Sequence, residues 1–85
     1  MPEHNHAECV ETLLTLVENQ RATITDDDYE EFHGFAMDAK NDPVKADCIH
    51  EYLQELAHEQ GCEIGQVDLT GKDGNDLFDM FSERQ

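Results

Sequence analysis

Basic residues are scarce and tryptophan is absent in this 85-residue chain: five Lys and Arg stand against 21 Asp and Glu, for a formal net charge of −16. Affinity for nucleic-acid phosphates comes from Lys and Arg that release counterions, so the composition excludes an ordinary DNA- or RNA-binding protein. Anionic membrane surfaces are disfavoured for the same reason. We therefore expect no direct nucleic-acid or membrane contact, and a cationic partner if the charge is functional.

Long hydrophobic runs are also missing, and we expect no leader segment at the start of this sequence. No apolar stretch approaches the roughly 18 residues of a membrane span, and residues 1–6 have neither a basic region nor an apolar core. The cysteines Cys9, Cys48 and Cys62 are odd in number and show no framework spacing, which is typical of free thiols in a reducing compartment. We expect a soluble, cytoplasmic protein.

Apolar residues make up only 38% of the chain, which allows a small core and a narrow stability margin. High charge with low hydrophobicity favours disorder, but here Leu, Ile, Val and Phe recur at intervals of three and four residues, as in packed amphipathic helices. We predict an all-α fold, a three- to four-helix bundle forming one acidic domain over residues 1–85, with residues 1–6 frayed.

Four helices are predicted from periodicity and capping residues. The first covers 7–20, and the second begins after the N-cap Thr25 with three acids in its first turn. The third runs from Pro43 to Gln60, with Asp42 as cap and Gly61 as a left-handed stop. The fourth covers 73–83. Residues 62–71 alternate only loosely, so a short strand, a short helix and an ordered loop all remain open there.

Carboxylates at helical spacing form two candidate binding surfaces. The acidic row lies on the third predicted helix, where no Lys or Arg comes between its members, and it consists of Asp47, Glu51, Glu55 and Glu59. The second acidic patch lies on the second predicted helix and consists of Asp27, Glu30, Glu31 and Asp38. Gly34 lies on the same face of that helix. Like charges four apart destabilise a helix by about 0.2–0.5 kcal/mol per pair, so each row carries a cost.

Carboxylates about 6 Å apart along a helix can imitate a phosphate backbone. A chain of this kind can act as a nucleic-acid decoy that inhibits a basic nucleic-acid-binding protein, such as a nuclease or a CRISPR-type effector, with charge steering its association. Small anti-restriction, anti-CRISPR and immunity proteins share its size and charge. That this chain is such a nucleic-acid decoy is our leading hypothesis.

Other readings stay open. The rows are equally typical of solvated helix faces, or of an adaptation to high salt. A protein–protein adaptor would instead use an apolar face that includes Phe78, Met80 and Phe81. A homodimer would enlarge the small core, whereas repulsion between like-charged copies opposes it.

One short pattern points to a regulator. Ala57, Gly61 and Val67 have a spacing that resembles the helix-turn-helix of phage-type repressors, over residues 53–72. The resemblance implies a recognition helix over residues 64–72. Because only Lys72 there can meet a phosphate, it implies a helix-turn-helix shape kept for packing, without direct DNA binding.

Metal-binding and catalytic patterns are incomplete. His4, His6 and Cys9 offer zinc ligands that Cys48, His50 or Cys62 would have to complete, but no paired Cys-x-x-Cys knuckle exists. The oxygen-rich run from Asp68 to Asp76 places Lys72 fifth and Asp73 sixth, which is the wrong register for a calcium loop. No nucleophile elbow or phosphate-binding glycine loop is present. We therefore expect no metal, no cofactor and no enzymatic activity, and a turn that caps the last helix at 68–76.

Overall fold

The computed structural model describes residues 6–84, and within them the predicted all-α bundle is confirmed. The helices are α1 (His6–Asn19), α2 (Asp26–Ala39), α3 (Pro43–Gln60) and α4 (Asn75–Glu83), with a single 3-10 turn at Ile64–Gln66. Residues 1–5, where we expected fraying, lie outside the described part, and His6 is already helical. Every helix described is too short or too polar to cross a lipid bilayer.

The helix starts and stops follow the predicted capping residues. The Thr25 hydroxyl accepts a hydrogen bond from the Asp28 amide at 3.1 Å and opens α2. The Asp42 carboxylate accepts from the amides of Val44 and Lys45 and opens α3. Gly61 ends α3 in the left-handed region at φ 69°, a conformation that a side chain would strain.

The core lies between α1, α2 and α3, with α4 packed across α2 and α3. Its largest fully buried side chains include Leu13 of α1, Phe32 and Phe35 of α2, and Ile49 and Leu53 of α3. Among the described residues no charged or polar side chain is buried. All described carboxylates therefore remain at the surface, where water offsets part of their mutual repulsion.

Phe35 fixes α4 to the bundle. Its ring meets Phe78 edge-on at 5.1 Å and Phe81 edge-on at 6.3 Å between centroids. The Lys45 ammonium lies 5.4 Å from the Phe35 ring and 5.1 Å from the Phe81 ring, in the range of cation–π attraction. The apolar side of α4 thus contacts its own bundle.

For residues 62–71 the sequence favours no single conformation. In the structure the backbone is extended after the 3-10 turn, and two glutamine side chains hydrogen-bond to it. Gln20 donates to the Val67 carbonyl at 2.8 Å and accepts from the Leu69 amide at 2.7 Å. Gln60 does the same on the neighbouring residue, donating to the Asp68 carbonyl at 2.9 Å and accepting from its amide at 2.8 Å. This amide clamp lets Val67 and Leu69 become fully buried without a sheet.

The recognition helix implied by the repressor-like spacing is not present. Residues 64–66 make one 3-10 turn, and Gly71 takes a φ of 80°. Gly65 and Gly71 disfavour a continued helix here, and the amide clamp instead supplies hydrogen bonds to the backbone groups of an extended segment. The helix-turn-helix interpretation of residues 53–72 is therefore wrong in geometry.

One helix boundary differs from the sequence prediction, and two residues at helical spacing with the core, Tyr29 and Ala7, are not buried in it. The last helix begins at Asn75, two residues late, because the Asp73 carboxylate accepts the Asn75 amide at 2.9 Å and forms a turn. Tyr29 is only half-buried, since its hydroxyl donates to Glu18 at 2.6 Å. Ala7 is exposed, whereas Leu16 joins the core.

Candidate functional site: acidic surfaces and an acidic corner

The acidic row on α3 is divided into two halves. Residues four apart in a helix are offset by about 40°, so the row winds around α3. Its first half meets the end of α4, where Arg84 donates to Glu51 at 2.6 Å and lies 4.0 Å from Asp47. The Glu51 hydrogen bond raises the pKa of Arg84 above its ordinary value. The protein thus places its own cation on this half of the row.

The second half of the row faces solvent. Glu55 and Glu59 are exposed, and with Glu51, Gln54 and His58 they line a shallow surface groove of about 260 Å³. Glu55 and Glu59, beside a depression of this size, can accept the head of a Lys or Arg side chain, whereas Glu51 is paired with Arg84. This α3 groove is the part of the acidic row that is open to a partner.

The second acidic patch is not one surface. Asp27 and Glu30 are exposed, but Asp38 pairs with Lys45 at 3.1 Å and lies far along α2 from them. Glu31 is half-buried and turns toward α4. The structure therefore leaves Asp27 and Glu30 as the open members of the patch.

Glu31 joins two carboxylates that sequence reasoning did not select. One oxygen each from Asp28, Glu31 and Asp73 lies within 4.8 Å of the others, and we call this group the acidic corner. Asp28 and Glu31 share the first turns of α2, while Asp73 arrives from the turn before α4. No local motif signals the group, because its parts lie more than forty positions apart and only the packing of α4 unites them.

Gly74 allows the two parts of the corner to approach. It is buried, its amide donates to the Asp28 carboxylate at 3.3 Å, and a Cβ at this position would lie 2.5 Å from the Glu31 Cβ. Such a separation is a clash with a rigid atom near the backbone. The corner thus requires glycine for space, although its φ of −61° suits any residue.

The crowding raises the pKa of Glu31. Loss of water is the largest cause, followed by the charges of Asp73, Asp28 and Asp27, while a hydrogen bond from Asn75 acts in the opposite direction. The pKa of Asp76 is likewise raised, first by loss of water and next by the charge of Asp73. Both carboxyls therefore oppose folding when ionised at neutral pH.

We predict that mild acidification stabilises the folded protein. A carboxyl with a raised folded-state pKa binds more protons in the native state, so the free energy of unfolding rises as pH falls from neutrality through that raised value. Below the ordinary Glu value of 4.5 the gain is complete. Urea unfolding at pH 7 and pH 5 measures it, and Glu31→Gln should show a smaller gain than Glu30→Gln. Equal gains in the two variants would contradict the assignment to Glu31.

Cys9 and His50 form a polar contact away from the acidic surfaces, with Sγ and Nδ1 3.2 Å apart. A thiol beside an imidazole is the arrangement of a cysteine nucleophile, but burial raises the pKa of Cys9 and the charges of Glu8 and Asp47 raise it further. A protonated thiol is a poor nucleophile and a poor metal ligand. His4 lies outside the described residues, so the expectation of no zinc site stays a prediction.

Comparison with family models, with curated proteins and with solved structures found no match to this chain.

Proposed function

We propose that this protein is a nucleic-acid decoy that binds a basic nucleic-acid-binding protein through α3 and occupies the groove in which that protein holds phosphates. The observation that carries the proposal is the α3 groove, where Glu51, Glu55 and Glu59 flank one depression. A Lys or Arg side chain that normally contacts phosphate meets carboxylate oxygens there with similar hydrogen-bonding geometry.

Charge distribution supports this surface. Of the five basic residues, Lys45 and Arg84 pair with acids, and the guanidinium of Arg21 lies 3.9 Å over the Tyr29 ring. Little positive charge is left to screen Glu55 and Glu59. A partner with a basic cleft is then attracted over a distance of about one Debye length, roughly 8 Å at physiological salt.

The adaptor alternative receives less support from the packing. Phe78 is 37% exposed, while Met80 and Phe81 are half-buried against the core. Their area is largely used to hold α4, so little apolar surface is left on that helix for a partner.

A matched pair of variants tests the decoy. Glu55→Gln/Glu59→Gln removes two charges from the α3 groove and leaves the Arg84 pair intact. Glu8→Gln/Glu11→Gln removes the same two charges from exposed positions on α1. The immobilised proteins are incubated with lysate of the cell that makes this protein, and bound proteins are eluted with stepwise NaCl and with duplex DNA.

We expect the unaltered chain and the α1 variant to retain a basic nucleic-acid-binding protein that both NaCl and duplex DNA release. The α3 variant should bind that protein at least about tenfold more weakly, because charge pairs at a desolvated contact carry much of such affinity. Equal retention by both variants would remove the α3 groove as the contact. A neutral or acidic partner held at high salt would remove the decoy itself.

A further inference from the structure

We propose that Asp47 and Glu51 form an arginine subsite of the partner surface, which the protein fills with its own Arg84 until an arginine of the partner replaces it. Arg84 is then an intramolecular competitor that limits binding at α3. This assignment rests on the proposed function, because it needs a basic partner at α3. It adds the side chain that the partner presents and the contact that opposes its binding.

The guanidinium of Arg84 spans two carboxylates that lie one turn apart on α3. Its Nη2 atom donates to Glu51 at 2.6 Å, and its Nη1 atom lies 4.0 Å from Asp47. The planar fork of a guanidinium can direct two nitrogens at two carboxylates, whereas a Lys ammonium is a compact point charge. The free protein thus shows with its own side chain how the first half of the acidic row holds an arginine.

Glu51 connects this arginine subsite to the α3 groove. It lines the groove together with Glu55 and Glu59, and it is also the carboxylate that Arg84 approaches most closely. While Arg84 is in place, one of these three carboxylates is neutralised. When Arg84 leaves, the subsite and the groove form one continuous row of acids, with about 6 Å between successive members along α3.

The Arg84 contact can open without unfolding of α4. The side chains of Arg84, Asp47 and Glu51 are 31%, 46% and 51% exposed. Arg84 is the C-cap of α4, and its backbone amide is held by the carbonyls of Phe81 and Ser82. The side chain alone can therefore swing away from α3, on the picosecond to nanosecond timescale of exposed side chains.

The weakness of an exposed ion pair sets how much Arg84 can limit binding. A pair of this kind is closed in about 60–85% of molecules. A partner that needs the open form loses affinity in proportion to the open fraction, so Arg84 should lower its affinity by about two- to sixfold. The contact therefore tunes binding at α3 and does not block it.

Competition by Arg84 is tested with labelled nona-arginine, whose binding is followed by fluorescence anisotropy at constant ionic strength. Arg84→Gln should bind this peptide about two- to sixfold more tightly than the unaltered protein. Lys40→Gln is the matched control, because it removes the same charge from the exposed C-cap of α2. The control should change the affinity less than about 1.5-fold. Equal gains in the two variants would mean that only net charge matters, and would overturn the proposal.

Glu51→Gln completes a double-mutant cycle. If Arg84 acts by covering Glu51, Arg84→Gln should raise the affinity less than about 1.5-fold in the Glu51→Gln background. A full gain in that background would trace the effect to another cause, such as loosening of α4, and would contradict the competition.

Nona-lysine tests the kind of side chain that the subsite takes. Arg84→Gln should increase its binding less than it increases the binding of nona-arginine, and an equal increase would remove the arginine subsite. Neither peptide is the natural partner. A decoy that fails in the lysate experiment is therefore told apart from an Arg84 that does not compete.

Discussion

Phe35→Ala should lower the free energy of unfolding by about 3–5 kcal/mol, which is the usual cost of deleting a buried aromatic ring. Phe35 is fully buried and meets Phe78 and Phe81 of α4. A domain of this size has a total stability near the lower end of about 5–15 kcal/mol, so the variant should be partly unfolded at 37 °C. Circular dichroism during urea unfolding measures the loss.

Removal of the other ring in the same contact is the matched control. Phe78 is 37% exposed, so Phe78→Ala loses the edge-on contact but leaves little cavity, and should cost about 1 kcal/mol. Equal losses in the two variants would show that Phe35 does not anchor α4. Because Arg84 follows α4 directly, Phe35→Ala should also free Glu51 and Asp47 from their cation.

Gly74→Ala should destabilise the protein by about 1–3 kcal/mol, as expected for a methyl group forced into a packed site. Its Cβ would lie 2.5 Å from the Glu31 Cβ and 3.2 Å from the Asp28 carbonyl oxygen. Neither atom can move without shifting α2, so the turn before α4 must move instead. Asp73 would then move away from Asp28 and Glu31.

Gly34→Ala is the control for that change, and it should act in the opposite direction. Gly34 is an exposed helical residue, and a Cβ there would meet nothing within 4 Å. Alanine is favoured over glycine inside a helix by about 0.5–1 kcal/mol. Thermal unfolding of both variants checks the pair. If both substitutions stabilised the protein, the close approach at Gly74 would not exist.

Sequence predicted the elements whose signals are local. Thr25, Asp42 and Gly61 fix the ends of α2 and α3 through capping, and the three- and four-residue spacing of apolar side chains gives the buried arc of α3. These features depend on neighbours within one turn. The helices were therefore predicted to within about two residues of where they lie.

The parts that sequence could not predict depend on distant residues. The row from Asp47 to Glu59 looks uniform in the chain, but Arg84 lies against only its first half. Asp73 meets Glu31 only through the docking of α4. Hydrogen bonds from the Gln20 and Gln60 side chains stabilise an extended backbone at residues 67–69. The positions of these two glutamines in the sequence do not indicate that contact.

The amide clamp has a consequence for self-assembly. Extended apolar segments such as 67–69 ordinarily expose unpaired backbone groups that recruit a strand from another molecule. Here Gln20 covers one edge of the segment and Gln60 covers the other. An acidic chain already kept apart from its copies by charge thus also withholds a stretch of extended backbone on which amyloid-like stacking could begin.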